Sequence, residues 1–269
     1  MVHFVGAGCG AADLITLRAS RLLQEADIVI WAGSLVNPEL FELCKPGCEL
    51  HDSSTMTLED VMAVCERAHD AGRDVVRLHT GDPSLYGAIH EQMRCLARLG
   101  IDYDVVPGVS SMAGAAAALQ AELTVPGVSQ SVIVTRLAGR TSLPQGEGLA
   151  RLAAHGTTLV VFLSAGMLER VQAELLAAGR ASDEAAAIVY KASWPDEQVH
   201  RCTVGTLAAT GARHGIERTA LVIVGDVLVA AGRRSKLYDP AFTTGYRQGG
   251  VPAGVPAGAD SIARADEGA

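Results

Sequence analysis

Short apolar runs alternate with amphipathic stretches along the first half of the chain. A run of about five apolar residues is typical of a buried strand, and apolar positions three and four apart are typical of a helix. The predicted strands are 2–5, 27–31, 74–78 and 102–106, and the predicted helices are one capped by Asp13, then 58–71, 87–99 and 111–121. Because strand and helix alternate, we predict a mostly parallel sheet with helices on both faces.

A second block, richer in strands, begins after Pro126 and Gly127. Its predicted strands are 131–135, 157–163, 187–192, 198–203 and 220–224, and its predicted helices are 148–154, 167–178 and 204–213. This pattern favours a second α/β unit with more antiparallel character. We therefore predict two α/β domains, 1–118 and 119–232, followed by a C-terminal extension, 233–269. Residues 249–269 contain Gly, Ala, Pro and acids without an aromatic residue, which predicts disorder there.

Charge and apolar content restrict the classes of function. The net charge of -8 argues against a broad surface for nucleic acid or an anionic membrane, although a local basic pocket is compatible with it. No apolar run approaches the ~18 residues of a membrane helix, and the first residues carry no basic leader. These features predict a cytoplasmic protein without a nucleic-acid or membrane partner. The six cysteines have no common zinc spacing, so we predict reduced thiols and no metal site.

The glycine-rich start of the chain suggests a dinucleotide site, but a second feature argues against it. Residues 6–11 read GAGCGA, which fits the loose pattern G-x-G-x-x-[GA] between a strand and a helix. That reading requires an acid at the end of the second strand, for the ribose hydroxyls. The strand ends instead at Trp31, Ala32 and Gly33. A nicotinamide enzyme is therefore disfavoured, and a tight turn between close backbones is the alternative.

Five stretches, taken in order, resemble the signatures of one family. They are FVGAGCG at 4–10, HTGDP at 79–83, VPGVSS at 106–111, YKASWPDE at 190–197 and TALVIVG at 219–225. Together they resemble the tetrapyrrole methylases, which use S-adenosylmethionine. The resemblance covers about residues 2–229. It implies a homodimer of two-domain α/β subunits, each with a cleft between its domains that binds the cofactor and a small tetrapyrrole.

The resemblance also implies which residues bind the cofactor. Gly81 would let the backbone approach the ligand, and Asp82 would accept hydrogen bonds from it. Ser110 and Ser111 would bind polar groups at a helix N-terminus, although an ordinary cap is the simpler interpretation. The full cofactor set is Thr80, Gly81, Asp82, Leu85, Ser110, Ser111, Leu163, Ala192, Thr219 and Ala220. No catalytic residue can be named.

Three further stretches resemble one branch of the family, which methylates C11 of precorrin-4 in cobalamin biosynthesis. They are WAGSLVNP at 31–38, SLYG at 84–87 and SKLYD at 235–239. The same reaction on cobalt-precorrin-4, methylation at another ring carbon, methylation of a modified histidine precursor on a protein, and a non-catalytic tetrapyrrole carrier remain alternatives. Ser34, Asn37 and Lys191 are the candidate substrate contacts.

Further cations could meet the carboxylates of such a substrate. The candidates are Arg77, His79, Arg136 and Arg140, besides Lys191. A solvated or structural role is the simpler interpretation of each.

The chain also departs from the family pattern. Cys9 stands where a proline is usual, and Ala11 and Ala12 stand where an aspartate often follows. These departures leave the shape of the first loop open.

Overall fold

The structure is a computed structural model that describes residues 1–139 and 141–250. Its first half is a five-stranded sheet in the order β3-β2-β4-β1-β5, with every neighbouring pair parallel. The strands are β1 Val2–Gly6, β2 Ile28–Trp31, β3 Glu49–Asp52, β4 Val75–His79 and β5 Tyr103–Val106, and the helices are α1 Leu17–Glu25, α2 Leu58–Asp70 and α3 Ile89–Leu99. Apolar clusters cover both faces of this sheet, so the central strand β4 is buried throughout.

Two local predictions for this half were wrong. Asp13 does not cap a helix, because it lies in a 3-10 turn and α1 begins at Leu17. The cap is Thr16, whose hydroxyl accepts a hydrogen bond from the N–H of Ala19 at 3.2 Å. The edge strand β3 was not predicted, since three of its four residues are polar.

The second half is a mixed sheet in the order β6-β7-β10-β8-β9. Its strands are β6 Val132–Arg136, β7 Thr158–Phe162, β8 Ala185–Tyr190, β9 Gln198–Thr203 and β10 Ala220–Val224, and the helices from α4 onward are α4 Ser111–Ala118, α5 Leu149–Ala153, α6 Leu168–Ala177 and α7 Leu207–Arg213. β6 and β7 are parallel, and the other neighbouring pairs are antiparallel. Two α/β units with more antiparallel pairing in the second are thus confirmed.

The chain passes from one sheet to the other through α4. Ala115 of α4 and the following Leu119 belong to the apolar cluster that covers the second sheet. The domain limits 1–118 and 119–232 stay a prediction.

The start of the C-terminal extension is tied to the second half, because the N–H of Arg233 bonds the carbonyl of Pro126 at 2.8 Å. Most of the stretch predicted to be disordered, 251–269, lies outside the described residues.

The structure adds two facts on metals and membranes. All six cysteines are unpaired, and the described residues contain no cluster of three or more His, Cys, Asp or Glu that could hold a metal ion. Within 1–139 and 141–250, no helix is long and apolar enough to cross a membrane.

Candidate functional site

A cavity of about 580 Å³ opens between the two sheets. One wall comes from the loops that follow β4 and β5, at the carboxyl ends of the parallel strands. The other wall comes from the end of β7, the segment after β8 and the start of β10. All ten residues of the predicted cofactor set line it: Thr80, Gly81, Asp82, Leu85, Ser110, Ser111, Leu163, Ala192, Thr219 and Ala220. Sequences far apart thus meet in one cavity, while the binding of a cofactor there stays a prediction.

Three glycines hold the loops of the first wall together, and we call them the glycine contact: Gly6, Gly81 and Gly108. A Cβ atom on Gly6 would lie 2.5 Å from the Cα of Gly108 and 2.6 Å from the carbonyl oxygen of Gly81. A Cβ on Gly108 would collide with that same oxygen. Gly81 also exchanges two backbone hydrogen bonds with Gly8, at 2.8 and 3.3 Å. Only residues without a side chain allow the three backbones to come this close.

Asp82 fixes the loop after β4 to the loop after β5. Its carboxylate accepts a bond from the N–H of Gly108 at 2.9 Å, and also bonds the N–H and hydroxyl of Ser84. Burial disfavours the ionised carboxylate, but these hydrogen bonds outweigh it and lower the pKa of Asp82. Each carboxylate oxygen can accept more than one bond, so a structural role in the loop and a ligand contact are compatible.

The N-terminus of α4 faces Gly81 across a narrow gap. A Cβ on Gly81, whose φ is +61°, would lie 3.4 Å from the backbone nitrogen of Ser111 and 3.6 Å from its Oγ. Ser110 is the helix cap, since its hydroxyl accepts a bond from the N–H of Met112 at 3.3 Å. Helix N-termini carry unsatisfied N–H groups that favour an anion, so the end of α4 where it borders the cavity suits a carboxylate or another polar group.

Non-glycine residues in the left-handed conformation form the second wall. Leu163, Lys191 and Thr219 have φ values of +52°, +47° and +53°. This conformation costs an L-residue roughly 1–2 kcal/mol. Each of the three residues carries a side chain at the cavity, and Leu163 is 61% exposed there. Local strain at such a position is typical of a functional site.

Two contacts join the walls directly. The hydroxyl of Ser193 accepts a bond from the N–H of Ala11 at 3.0 Å and lies 3.2 Å from the Sγ of Cys9. Across the cavity, the rings of Tyr86 and Phe162 are 5.4 Å apart. The family departures at Cys9 and Ala11 therefore fall where the second half contacts the first loop.

The sequence analysis did not identify several cavity residues. Phe162 and Tyr86 flank predicted cofactor residues, and Trp194 adjoins Lys191 and Ala192, so proximity to a motif was the available signal. Ala32 and Leu35 of the segment 31–38 also line the cavity. Nothing in the apolar pattern distinguishes these residues from ordinary core positions.

The structure describes the side chains of two of the three predicted substrate contacts, and only one of them lines the cavity. Asn37 is buried and is not a lining residue, because its amide donates to the carbonyl of Gly10 at 3.0 Å. It therefore supports the first loop rather than facing the cavity. Lys191 does line the cavity, where its ammonium pairs with Asp196 at 2.6 Å. The side chain of Ser34 lies outside the described part of the structure.

The candidate arginines and the histidine differ in whether they line the cavity. Arg136 does not line the cavity and donates to the carbonyls of Leu137, Thr141 and Ser142. Arg140 falls outside the described residues. Arg77 and His79, in contrast, are buried and line the cavity, so a solvated surface role is wrong for both.

Comparison with known proteins gives concordant matches. A model of the tetrapyrrole (corrin/porphyrin) methylases matches residues 1–208. The cobalt-precorrin-4 C(11)-methyltransferase of Methanocaldococcus jannaschii is 46% identical over 92% of this chain and 96% of its own length. The precorrin-4 C(11)-methyltransferase of Mycobacterium tuberculosis is 47% identical over 92% of this chain and 99% of its own length.

Solved structures agree with these relatives. A cobalt-precorrin-4 methyltransferase has a TM-score of 0.83 and 44% identity, over 85% of this chain and 96% of that one. A uroporphyrin-III C-methyltransferase from Thermus thermophilus, in complex with S-adenosylhomocysteine, has a TM-score of 0.72 and 31% identity, over 84% of this chain and 98% of that one.

Proposed function

The chain belongs to the tetrapyrrole methylase family, and from that membership we propose that it transfers a methyl group from S-adenosylmethionine to C11 of precorrin-4. The family resemblance is confirmed by the match over residues 1–208, which contains four of the five motifs, and by relatives that cover 92% of the chain. The product would be precorrin-5, within cobalamin biosynthesis. The observation that carries this proposal is the meeting of all ten predicted cofactor residues in one cavity.

The lining residues suit the two chemically different ends of S-adenosylmethionine. The N-terminus of α4, where Ser110 and Ser111 border the cavity, offers N–H donors and hydroxyl groups, which fit the carboxylate and other polar groups of the methionine end. Leu163, Ala192 and Ala220 offer apolar surface for the adenine. We assign Thr80, Asp82 and Leu85 to the same ligand.

The reaction makes modest demands on the protein. When bound, the sulfonium supplies an activated methyl group: the electron pair of C11 forms the new carbon–carbon bond, the sulfur–methyl bond breaks towards sulfur, and the substrate releases a proton. The side chains of the cavity align the two reactants and exclude water. Apolar lining also favours the loss of the sulfonium charge along the reaction. This assignment requires no nucleophilic side chain.

The metal state of the substrate is the alternative within the same activity. Relatives named for precorrin-4 and for cobalt-precorrin-4 have nearly the same identity to this chain, 47% and 46%. We propose the metal-free substrate and retain the cobalt form as the alternative. The metal would enter as part of the substrate.

We further infer a cytoplasmic homodimer. Both inferences rest on the family resemblance. Light scattering of the purified protein would measure the mass of the particle, and cell fractionation would measure its location. A monomeric mass, or recovery in a membrane fraction, would reject the respective inference.

The proposed function is tested by binding and then by turnover. We expect isothermal titration with S-adenosylhomocysteine to saturate near one per subunit, and titration with NAD to give no heat of binding. Incubation with S-adenosylmethionine and either precorrin-4 or cobalt-precorrin-4 should then add one methyl group. Binding without methylation of either substrate would reject the C11 activity.

A further inference from the structure

We propose that Arg77 and His79 form a carboxylate-binding pair that holds one peripheral carboxylate of the tetrapyrrole. This inference rests on the proposed function, because it assigns a role to two residues of the same cavity. It goes beyond the cofactor set, since neither residue belongs to the Gly81–Asp82 loop or to the second wall.

The strand geometry places both side chains on one face of β4. Residues 77 and 79 are two apart, and alternate residues of a strand point to the same side. The ring of Phe4 lies 5.9 Å from that of His79, on the side of the sheet that α2 and α3 cover. Both residues line the cavity at the carboxyl end of β4. The cavity therefore reaches a cation and an imidazole near the middle of the first sheet.

Arg77 is buried, yet no carboxylate of the described residues pairs with its guanidinium. The residue is 8% exposed. Its Nε donates to the Oε1 of Gln92 at 3.1 Å and its Nη1 to the carbonyl oxygen of Ile30 at 3.2 Å. Among the described residues Arg77 makes no salt bridge and its Nη2 has no hydrogen-bond acceptor, but Nη2 is not fully buried and keeps accessible surface. A buried guanidinium without an anion is unfavourable, because desolvation is not compensated.

A second buried arginine has an anion beside it, although its Nε lacks a hydrogen-bond partner among the described residues. Arg180 is 7% exposed, and its guanidinium pairs with the carboxylate of Glu184 at 2.6 Å. Arg180 lies outside the cavity lining. The buried arginine remote from the cavity thus has its own anion, and the buried arginine in the cavity lacks one. A ligand carboxylate would pair with the guanidinium of Arg77, as the carboxylate of Glu184 pairs with that of Arg180.

His79 adds a second unsatisfied group at the same place. The residue is 3% exposed, and its Nε2 is buried without any hydrogen-bond partner among the described residues. Burial, with the nearby charge of Arg77, lowers the pKa of His79 to about 3, so the ring is neutral. A neutral imidazole can carry its N–H on Nε2 and donate it. Arg77 thus offers a carboxylate a charged donor, and the Nε2 of His79, which has almost no accessible surface, adds a neutral donor when the ring turns towards the cavity.

The substrate is a better source of this carboxylate than the cofactor. A tetrapyrrole carries many carboxylates, whereas S-adenosylmethionine carries one. The N-terminus of α4 beside Gly81 already offers N–H donors for that one. The two anions would then occupy separate parts of the cavity.

The decisive variant is Arg77→Met, which keeps the length of the side chain and removes its charge. We expect the KM for the tetrapyrrole to rise about 10- to 100-fold, as for loss of a hydrogen bond to a charged group, with kcat changed less. The Kd for S-adenosylhomocysteine should stay within about threefold. Thermal stability should be unchanged or higher, since an uncompensated buried charge is removed. Arg77→Lys should recover part of the affinity, and His79→Gln should give a smaller rise in KM.

Two controls isolate the effect. Arg98→Met removes the same charge from the exposed side of α3 and should change neither KM nor Kd. Direct titration of each variant with precorrin-4 or cobalt-precorrin-4, in the presence of S-adenosylhomocysteine, measures binding without turnover. A wild-type protein that binds the tetrapyrrole without methylating it would contradict the proposed function alone, and the binding data would still test the pair.

Three outcomes would overturn the inference. An equal loss of affinity for S-adenosylhomocysteine in Arg77→Met would assign the carboxylate to the cofactor. Lower stability with an unchanged KM would make Arg77 a structural link between Gln92 and Ile30. If Arg77→Met fails to fold, wild-type tetrapyrrole affinity in both Arg77→Lys and His79→Gln would reject the pair.

Discussion

The two walls of the cavity place different demands on the backbone. On the first wall, turns that side chains would obstruct are made by glycine, as in the glycine contact of Gly6, Gly81 and Gly108. On the second wall, left-handed turns are made by Leu163, Lys191 and Thr219. Of the three glycines only Gly81 is left-handed, without strain, whereas an L-residue adopts that conformation at a cost. The first wall therefore brings backbones together, and the second retains side chains where they reach the cavity.

The positions of the left-handed non-glycine residues show where side chains are required. Six of the seven non-glycine residues with positive φ in the described structure lie on or beside the cavity, namely Tyr86, Ala88, Leu163, Lys191, Ser193 and Thr219. The seventh, Gln120, lies after α4 and away from the cavity lining. Strain concentrated in this way is consistent with preorganisation of a binding surface.

The strongest test of the comparison adds one methyl group to the first wall. Gly108→Ala would drive a Cβ into the carbonyl oxygen of Gly81, so we expect a loss of about 3 kcal/mol or more in the free energy of unfolding. Binding of S-adenosylhomocysteine should be lost as well. Gly245→Ala is the control, because no atom lies within 4 Å of its added Cβ, and it should change stability by less than about 0.5 kcal/mol. Equal denaturation midpoints for the two variants would show that the glycine contact is not tight.

A second test removes the carboxylate that links the loops of the first wall. Asp82→Ala leaves the N–H groups of Gly108 and Ser84 without their acceptor, and we expect affinity for S-adenosylhomocysteine to fall about 10-fold or more. The fold should persist. Asp52→Ala removes a similar turn bond, to the N–H of Ser54 at 2.8 Å, outside the cavity and should leave affinity unchanged. Wild-type affinity in Asp82→Ala, measured by calorimetry, would remove Asp82 from the site.

The third test uses pH to measure the burial of His79. Its pKa in the folded protein is about 3, below the ordinary value of 6.5, so the unfolded chain binds more protons between these values. Stability is therefore present above pH 6.5 and is lost as the pH falls. When the pH falls from about 7.5 to about 5.5, protonation of His79 in the unfolded chain should lower the free energy of unfolding by about 1.4 kcal/mol.

The matched variant is His79→Gln. Its free energy of unfolding, measured with urea, should fall about 1.4 kcal/mol less than that of the wild type over this pH range. His90→Gln, at an exposed position of α3, should retain the wild-type slope. If His79→Gln and the wild type lose stability in parallel between these pH values, His79 is not buried in its neutral form.

The smallest expected effect comes from relieving strain on the second wall. Thr219→Gly should raise the free energy of unfolding by about 1 kcal/mol, because a β-branched residue is poorly suited to φ of +53°. Affinity for S-adenosylhomocysteine should fall, since a lining side chain is lost. Gln120→Gly, with φ of +52°, should give a similar gain without a change in affinity. A loss of stability in Thr219→Gly would reject the contrast between the walls.

Periodicity predicted most of the fold, and its failures have local causes. The interior strands β1, β4 and β7 were predicted within one or two residues, because strands buried on both faces are mostly apolar. β3 was missed because an edge strand needs little apolar surface. The start of α1 was misplaced, since Asp13 and Thr16 are both suitable caps and only the fold selects Thr16.

Residues close together in the chain set most of the elements, the glycine turns and the order of the motifs, and these could be predicted without the structure; β3 and the start of α1 could not. Tertiary structure alone decided that Arg77 and His79 are buried at a cavity, that Asn37 supports the first loop, and that Ser193 contacts it. These features depend on tertiary structure because the burial and hydrogen bonding of a polar side chain are set by the residues packed against it, which can be distant in the sequence. For the first loop that cover comes from Ser193, more than 180 residues along the chain.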